Sequence, residues 1–299
     1  MVKTVKKEKT NSSFLLMAFK RLCKDKLAVF GFCIVALFLI VGFAAPLLAP
    51  HDPIAMNTSI RLQGPSWSYP LGTDQMGRCI LSRLIYGTQT TLLNALAVLG
   101  GILLLGVPLG VLAGYKGGWV DTIIMRIADI VCTFPSSLLA LAVVSVLGGS
   151  LLNIMIVLVA LWWAPFARII RGTVLKVKEK DYIMAAQSVG SSKAKIMFQH
   201  ILLNSISPIV VYATIRVGAI IMHIAGFSFI GLGTQPPAAD WGVMLSDSRD
   251  YIATAPLMMV WPGLAICLSV FGLNMFGEGL NEALLPGSGK KARRLGDGE

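Results

Sequence analysis

The sequence predicts an all-α, polytopic membrane protein with about six transmembrane helices. Three observations carry that prediction. Of the 299 residues, 55% are hydrophobic and only 14% are charged, whereas soluble domains hold roughly 25% charged residues. Uncharged runs such as 27–50 are longer than the roughly 20 apolar residues a helix needs to cross a hydrocarbon core. Most of the Lys and Arg residues cluster beside these runs.

The placement of charge decides what the net +11 means. Eight basic residues precede residue 27, seven lie between Arg168 and Lys195, and four stand in the tail at Lys290, Lys291, Arg293 and Arg294. The intervening segments are poorer, with Arg61, Arg78, Arg83 and Arg249. Basic clusters flanking spans mark cytoplasmic loops, so both termini are expected in the cytoplasm of a cell-membrane protein whose partner is lipid and not nucleic acid.

Residues 1–26 form a basic cytoplasmic segment, followed by a membrane domain over 27–286. The first span, 27–49, is too long for a signal peptide core and has no small-residue cleavage site after it, so it is expected to remain as an anchor. Residues 51–90 form an external loop rich in Pro, Gly and Ser, closing in an amphipathic stretch, Gly77 to Leu92, expected to lie on the membrane surface. Further apolar runs at 90–114, 124–147, 151–167, 203–231 and 256–276 bring the spans to six, an even number that agrees with both ends on one side. Gly100, Gly101, Gly106, Pro108, Gly110, Pro135, Pro165 and Pro208 fall inside spans and predict close helix packing and kinks. A second external segment, about 233–255, carries Trp241, whose amphipathic ring suits the membrane interface. Residues 287–299 read as a disordered cytoplasmic tail.

Five cysteines without C-x-x-C spacing suggest neither zinc nor disulfides and are expected to be buried as small apolar residues. Three ionisable residues lie in or near spans, where a charge is costly and faces a cavity or a partner. Asp129, close after Arg126, reads as one half of a structural pair. Arg216 can meet a solute carboxylate, a lipid phosphate or an acidic group of a partner. His223 follows Met222, and imidazole and thioether both bind transition metals, yet adjacent helical positions point about 100° apart and a packing histidine explains the residue equally.

Between the fourth and fifth runs lies a charged stretch, 168–200, too polar for lipid. In it Ala185-Ala186, Gly190 and Leu202 match the spacing of the Glu-Ala-Ala coupling loop of ABC importer permeases, with Met184 in place of Glu, His200 of Ile and Leu203 of Pro. Leu71 to Arg78, Ser82-Arg83-Leu84 and Gly87 resemble the second permease subunit of dipeptide, oligopeptide and nickel importers. So do Gly114-Tyr115, Gly117-Gly118, Asp121, Met125-Arg126, Asp129, Gln235-Pro236-Pro237, Trp241-Gly242 and Trp261-Pro262-Gly263-Leu264. The resemblance runs from about Lys20 to Pro286.

That resemblance implies a type I ABC importer permease. It pairs with a homologous second permease, two ATP-binding subunits dock on the 168–200 loop through Ala185, Ala186, Gly190 and Leu202, and an external solute-binding protein delivers cargo. The chain has no Gly-x-x-x-x-Gly-Lys-Ser/Thr loop, so it is expected to bind no cofactor, with ATP and Mg used by the partners. The runs Ile221 to Gly233 and Tyr251 to Gly263 resemble nickel permeases slightly more than dipeptide permeases, which favours nickel or a metal chelate, with dipeptides or oligopeptides as the alternative. Arg216, Met222 and His223 are then candidates for the translocation path. An ion channel is disfavoured by the lack of a charged ring or carbonyl filter, and an intramembrane enzyme by the lack of a carboxylate pair or His-Glu-x-x-His motif.

Overall fold

The computed structural model describes residues 12–192 and 195–284, all helix and connecting loop. Helix α1 (Ser12–Leu22) leads into α2 (Lys26–Phe43), which starts where Asp25 accepts hydrogen bonds from the backbone of Leu27 and Ala28. A short α3 (Ala45–Leu48) ends this hairpin-like entrance. Helix α4 (Ile80–Lys116) has 37 residues, so it is about 55 Å long and overreaches a hydrocarbon core of about 30 Å. Gly117, at φ +66°, stops it.

Helices α5 (Gly118–Thr133) and α6 (Ser136–Leu147) meet at an 85° bend around Pro135, which lacks the N–H that a continuous helix would use. Helix α7 (Leu151–Lys178) is capped by Ser150. After α8 (Asp181–Ser188) a π-helical stretch, Ile196–Leu202, feeds α9 (Leu203–Phe229). Helix α10 (Trp241–Ser248) is short, and α11 (Leu257–Leu284) completes the described chain. Among the described residues five helices are long and apolar enough to cross a membrane, and the count is six where the bent α5–α6 pair is taken as one span.

All six expected runs are therefore helical, with three corrections. The stretch Gly77 to Leu92 is not a surface helix: from Ile80 it is the first part of α4, continuous with the span because no proline interrupts 80–107. The polar loop expected over 168–200 begins eleven residues late, since α7 runs on to Lys178. There Arg171 holds Asp121 of α5 through two hydrogen bonds of 2.5 and 2.6 Å, and Lys178 donates to the Tyr115 carbonyl. The cysteines are not buried as a group: Cys79 is, while Cys23, Cys33, Cys132 and Cys267 are exposed on the chain's outer faces. The tail 287–299 lies outside the described residues.

The most extensive packing in the bundle joins α4 to α7. Gly106, Gly110 and Gly114 repeat every fourth residue, and a Cβ at each would lie 2.9 Å from Phe166 Cβ, 2.6 Å from the Ala167 carbonyl and 2.8 Å from Val174 Cβ. Lipid supplies no hydrophobic push between helices, so contact of this kind depends on small residues that admit the neighbouring backbone. Gly31 and Gly272 do the same for α2 against α11. The wider core gathers Ile102, Leu158, Phe166, Ile220 and Ile224 from α4, α7 and α9.

One end of the bundle carries residues 49–79 and 230–256. There Asp74 accepts from Arg78 Nε at 2.6 Å and from Arg83 Nη1, while Asp247 of α10 accepts from Arg78 Nη2 at 2.9 Å and Arg83 Nη1 at 3.2 Å. Both arginines are about 2% exposed or less. Beside them Trp241 is fully buried rather than interfacial. Gly87 leaves room for its indole, whose Nε1 donates to the Leu84 carbonyl. Asp240 caps α10 by accepting from Gly242 and Val243; burial pushes its carboxyl above the ordinary value and those backbone bonds pull it down.

Two substitutions test this packing. Gly110→Ala should lower the thermal midpoint of the detergent-purified protein, since an overpacked contact costs about 1–3 kcal/mol, while Gly100→Ala, whose Cβ meets nothing within 4 Å, should not. Equal midpoints for the two would show that α4 and α7 do not rely on this approach. Asp247→Asn leaves two buried guanidinium groups facing one carboxylate and should cost about 3 kcal/mol, read as a midpoint several degrees lower.

Candidate functional site

Two regions hold the residues singled out from the sequence. The first lies at the end of the bundle opposite the Asp74–Arg83 cluster, where Ile183 of α8 is buried with Ile196 and Ile201 against Ile170 and Val174 of α7. This small core fixes α8 to the ends of α7 and α9. Ala186 and Leu202 pack around it, while Ala185 and Gly190 face outward, so the structure divides the four residues between an inner and an outer face. Gly190 has φ +82°, and the Ser191 N–H bonds back to the Ala186 carbonyl at 3.0 Å. That is the geometry in which a left-handed residue closes a helix, which glycine adopts without strain. The outer surface of α8 and the following turn shows Tyr182, Met184 and Val189, the last 86% exposed.

The second region is a cavity of about 390 Å³ in the elbow of α5 and α6, closed by α7 and α9 and lined by Phe134, Trp162, Pro165, Tyr212, Arg216 and His223 among others. Arg216 is the midpoint of Leu203–Phe229. Its Nη2 donates to the Tyr212 hydroxyl at 2.6 Å, and its guanidinium carbon stands 4.8 Å from the Tyr212 ring centre and 5.8 Å from that of Trp162. These are cation–π distances that hold the group without cancelling its charge. Phe166 braces the Tyr212 ring edge-on at 4.6 Å.

His223 stands two turns further along α9, on the same face as Arg216. Its Nδ1 donates to the Ala219 carbonyl at 2.8 Å and its ring meets Trp162 edge-on at 4.7 Å, which leaves Nε2 as the nitrogen not bonded to its own helix. Met222 does not border the first cavity. It borders a second, of about 360 Å³, together with His223, Ser137, Leu138 and Phe227. His223 thus joins the two spaces, and Arg216 and Met222 sit on opposite sides of it. No group of three or more His, Cys, Asp or Glu among the described residues is arranged to hold a metal ion.

Asp129 is paired, but not with Arg126. Its carboxylate accepts from Arg168 Nη2 at 2.9 Å across the gap between α5 and α7, both side chains being about half exposed. A neighbour three or four residues away is the default partner on a helix, and here the tertiary contact wins. Sequence reasoning also missed Tyr212 and Trp162. The Tyr212/Arg216 spacing of four was legible as a same-face pair, whereas Trp162 reaches Arg216 only through the packing of α7 on α9.

Apolar helices long enough to cross a membrane, with a cavity beside the middle of one of them, define a multi-pass membrane protein. A family profile described as "Binding-protein-dependent transport system inner membrane component" matches residues 106–289, and one described as "N-terminal TM domain of oligopeptide transport permease C" matches residues 13–65. The chain is 44% identical over 269 residues to the dipeptide transport system permease protein of Alkalihalophilus pseudofirmus, covering 90% of this chain and 88% of that protein. It is 42% identical over 271 residues to the glutathione transport system permease protein of Pectobacterium atrosepticum, covering 90% and 89%. To the nickel transport system permease protein of Escherichia coli K12 it is 39% identical over 253 residues, covering 85% and 91%. The chain belongs to the binding-protein-dependent permease family, as a C-type permease subunit of the dipeptide, oligopeptide and nickel group of ABC importers. The nickel relative is the least identical of these three, so the slight likeness to nickel permeases at Ile221 to Gly233 is not matched over the whole chain.

Proposed function

We propose that this chain and a homologous second permease enclose the path by which a small peptide-like solute crosses the cell membrane. An external solute-binding protein delivers the solute, and two partner ATPases supply the work by hydrolysing ATP with Mg. The observation that carries this reading is the end of α8: Tyr182, Met184 and Val189 stand exposed beyond the membrane spans, on an element anchored by Ile183 to α7 and to the π-helical stretch that feeds α9. An exposed apolar surface on a rigid lever needs a protein partner, and motion imposed there reaches the two helices that wall the cavity. Docking through the outward Ala185 and Gly190, with Ala186 and Leu202 holding the lever from within, supports alternating access.

The basic residues Lys20, Arg21, Lys24, Lys176, Lys178 and Lys180 belong to the same end as α8, which supports a cytoplasmic position for it and for both termini. Small peptides lead over nickel because the dipeptide and glutathione relatives are the more identical ones. A metal chelate is the second reading, supported by the nickel relative and by His223 and Met222 at the second cavity.

Topology is tested in a background with all five cysteines replaced. Trp67→Cys should react with an impermeant maleimide on intact cells or spheroplasts, and Ser192→Cys only after the membrane is opened; labelling of Ser192→Cys from outside would overturn the orientation. Coupling is tested at Gly190. Gly190→Trp should abolish uptake with normal membrane insertion, while Gly190→Asn, which tolerates left-handed backbone, should keep most of it. Parental uptake by the Trp variant would remove the docking assignment.

A further inference from the structure

Arg216 differs in its partners from the arginines that form ion pairs in the bundle. Arg78, Arg83, Arg168 and Arg171 each hold a carboxylate. Among the described residues Arg216 has none, and makes one hydrogen bond, to a neutral phenol. It stands halfway along a membrane-spanning helix, where a charge cannot face hydrocarbon and an unpaired one marks an aqueous space or a ligand. Its surroundings are a cavity of about 390 Å³, and no Asp or Glu borders either this cavity or the adjoining one.

The aromatic groups around it orient the guanidinium without neutralising it. Tyr212 and Trp162 present ring faces within cation–π range, and the Tyr212 hydroxyl takes one Nη2 proton, so most of the five N–H donors stay available toward the cavity. A planar fork of donors with no acceptor matches a carboxylate, which it binds through two parallel hydrogen bonds. The same positive, acidic-free lining repels a bare divalent cation. His223, seven residues along the same helix face, is about 10 Å further up the axis and borders the space in which the remainder of a small solute would lie.

We propose that Arg216 receives a carboxylate of the transported solute midway along the path, so that the path accepts carboxylate-bearing solutes such as short peptides and rejects the free aqueous nickel ion. The proposal rests on the importer reading above. Tyr212 and Trp162 are then positioning residues that hold the guanidinium against the wall of the cavity.

The test uses the complete importer, with its second permease, ATPases and receptor, carrying Arg216, Arg216→Lys or Arg216→Met. Uptake of labelled alanyl-alanine and of aqueous nickel ion is followed in cells, and receptor-stimulated ATP hydrolysis is measured on the purified complex. The parent should take up alanyl-alanine and leave nickel ion at background. Arg216→Met should lose roughly tenfold or more of the maximal alanyl-alanine rate, the size expected for charge-assisted hydrogen bonds, with KM, governed by the receptor, and receptor-stimulated ATP hydrolysis little changed. Arg216→Lys, which keeps the charge, should recover much of the rate. A parental maximal rate in Arg216→Met overturns the proposal, as does a Lys variant as slow as the Met one, or nickel-ion uptake by the parent. If Arg216→Met does not insert, Arg216→Gln is read in its place by the same criteria. No alanyl-alanine uptake by a parent whose ATPase responds to its receptor also overturns it, whereas an ATPase that no receptor stimulates overturns the importer reading instead.

Discussion

The close approach of α4 and α7 is the contact on which the rest of the bundle depends. Both are long, both run from one end of the molecule to the other, and each of the remaining spans packs against one of them or against a helix that does. A soluble protein would press such helices together by excluding water from their apolar faces. In lipid that force is missing, and shape has to replace it. Gly106, Gly110 and Gly114 provide the shape by removing side chains along one stripe, so that Phe166, Ala167 and Val174 of α7 reach the α4 backbone. Arg171, Asp121, Lys178 and Tyr115 then lock the same pair and α5 at the end where water is available.

At the opposite end the locking is ionic and buried. Two arginines and two aspartates from residues 74–83 and from α10 form a neutral cluster, and Trp241 fills the gap left by Gly87 beside it. Such a cluster adds little net stability over apolar packing, since removing four charges from water is expensive. Its physical value lies in direction: the loop 49–79 and the 230–256 segment are held to each other in one arrangement, because any other leaves a buried charge alone. The two ends of the bundle are thus rigid for different reasons, and the elbow of α5 and α6 is where the wall is open.

The cavity lies between these locked ends, and the helices that border it connect to both. Helix α9 passes Arg216 and His223 and begins at the π-helical stretch packed on α8; α7 passes Trp162 and Pro165 and ends against the same small core. Both walls are thus continuous with elements packed on α8. The exposed Asp129–Arg168 pair sits on that route, joining α5 to α7 below the cavity.

Composition and periodicity alone determined the class and the apolar helices, because lipid leaves a chain few solutions: each span must be apolar, about 20 residues long and internally hydrogen-bonded. They also picked out Gly190 and Arg216, since a glycine after a helix and a charge inside a span stand out locally. Tertiary structure alone decided what those residues touch. Trp241 looks interfacial until Gly87 and Leu84 enclose it, and Asp129 looks paired to Arg126 until α7 brings Arg168 closer. Gly77 to Leu92 reads as amphipathic because its polar face meets 230–256 and not water. In each case the local pattern records only that a polar or aromatic group needs a partner, and which partner it finds is fixed by helices distant in sequence that pack within a few ångströms of it.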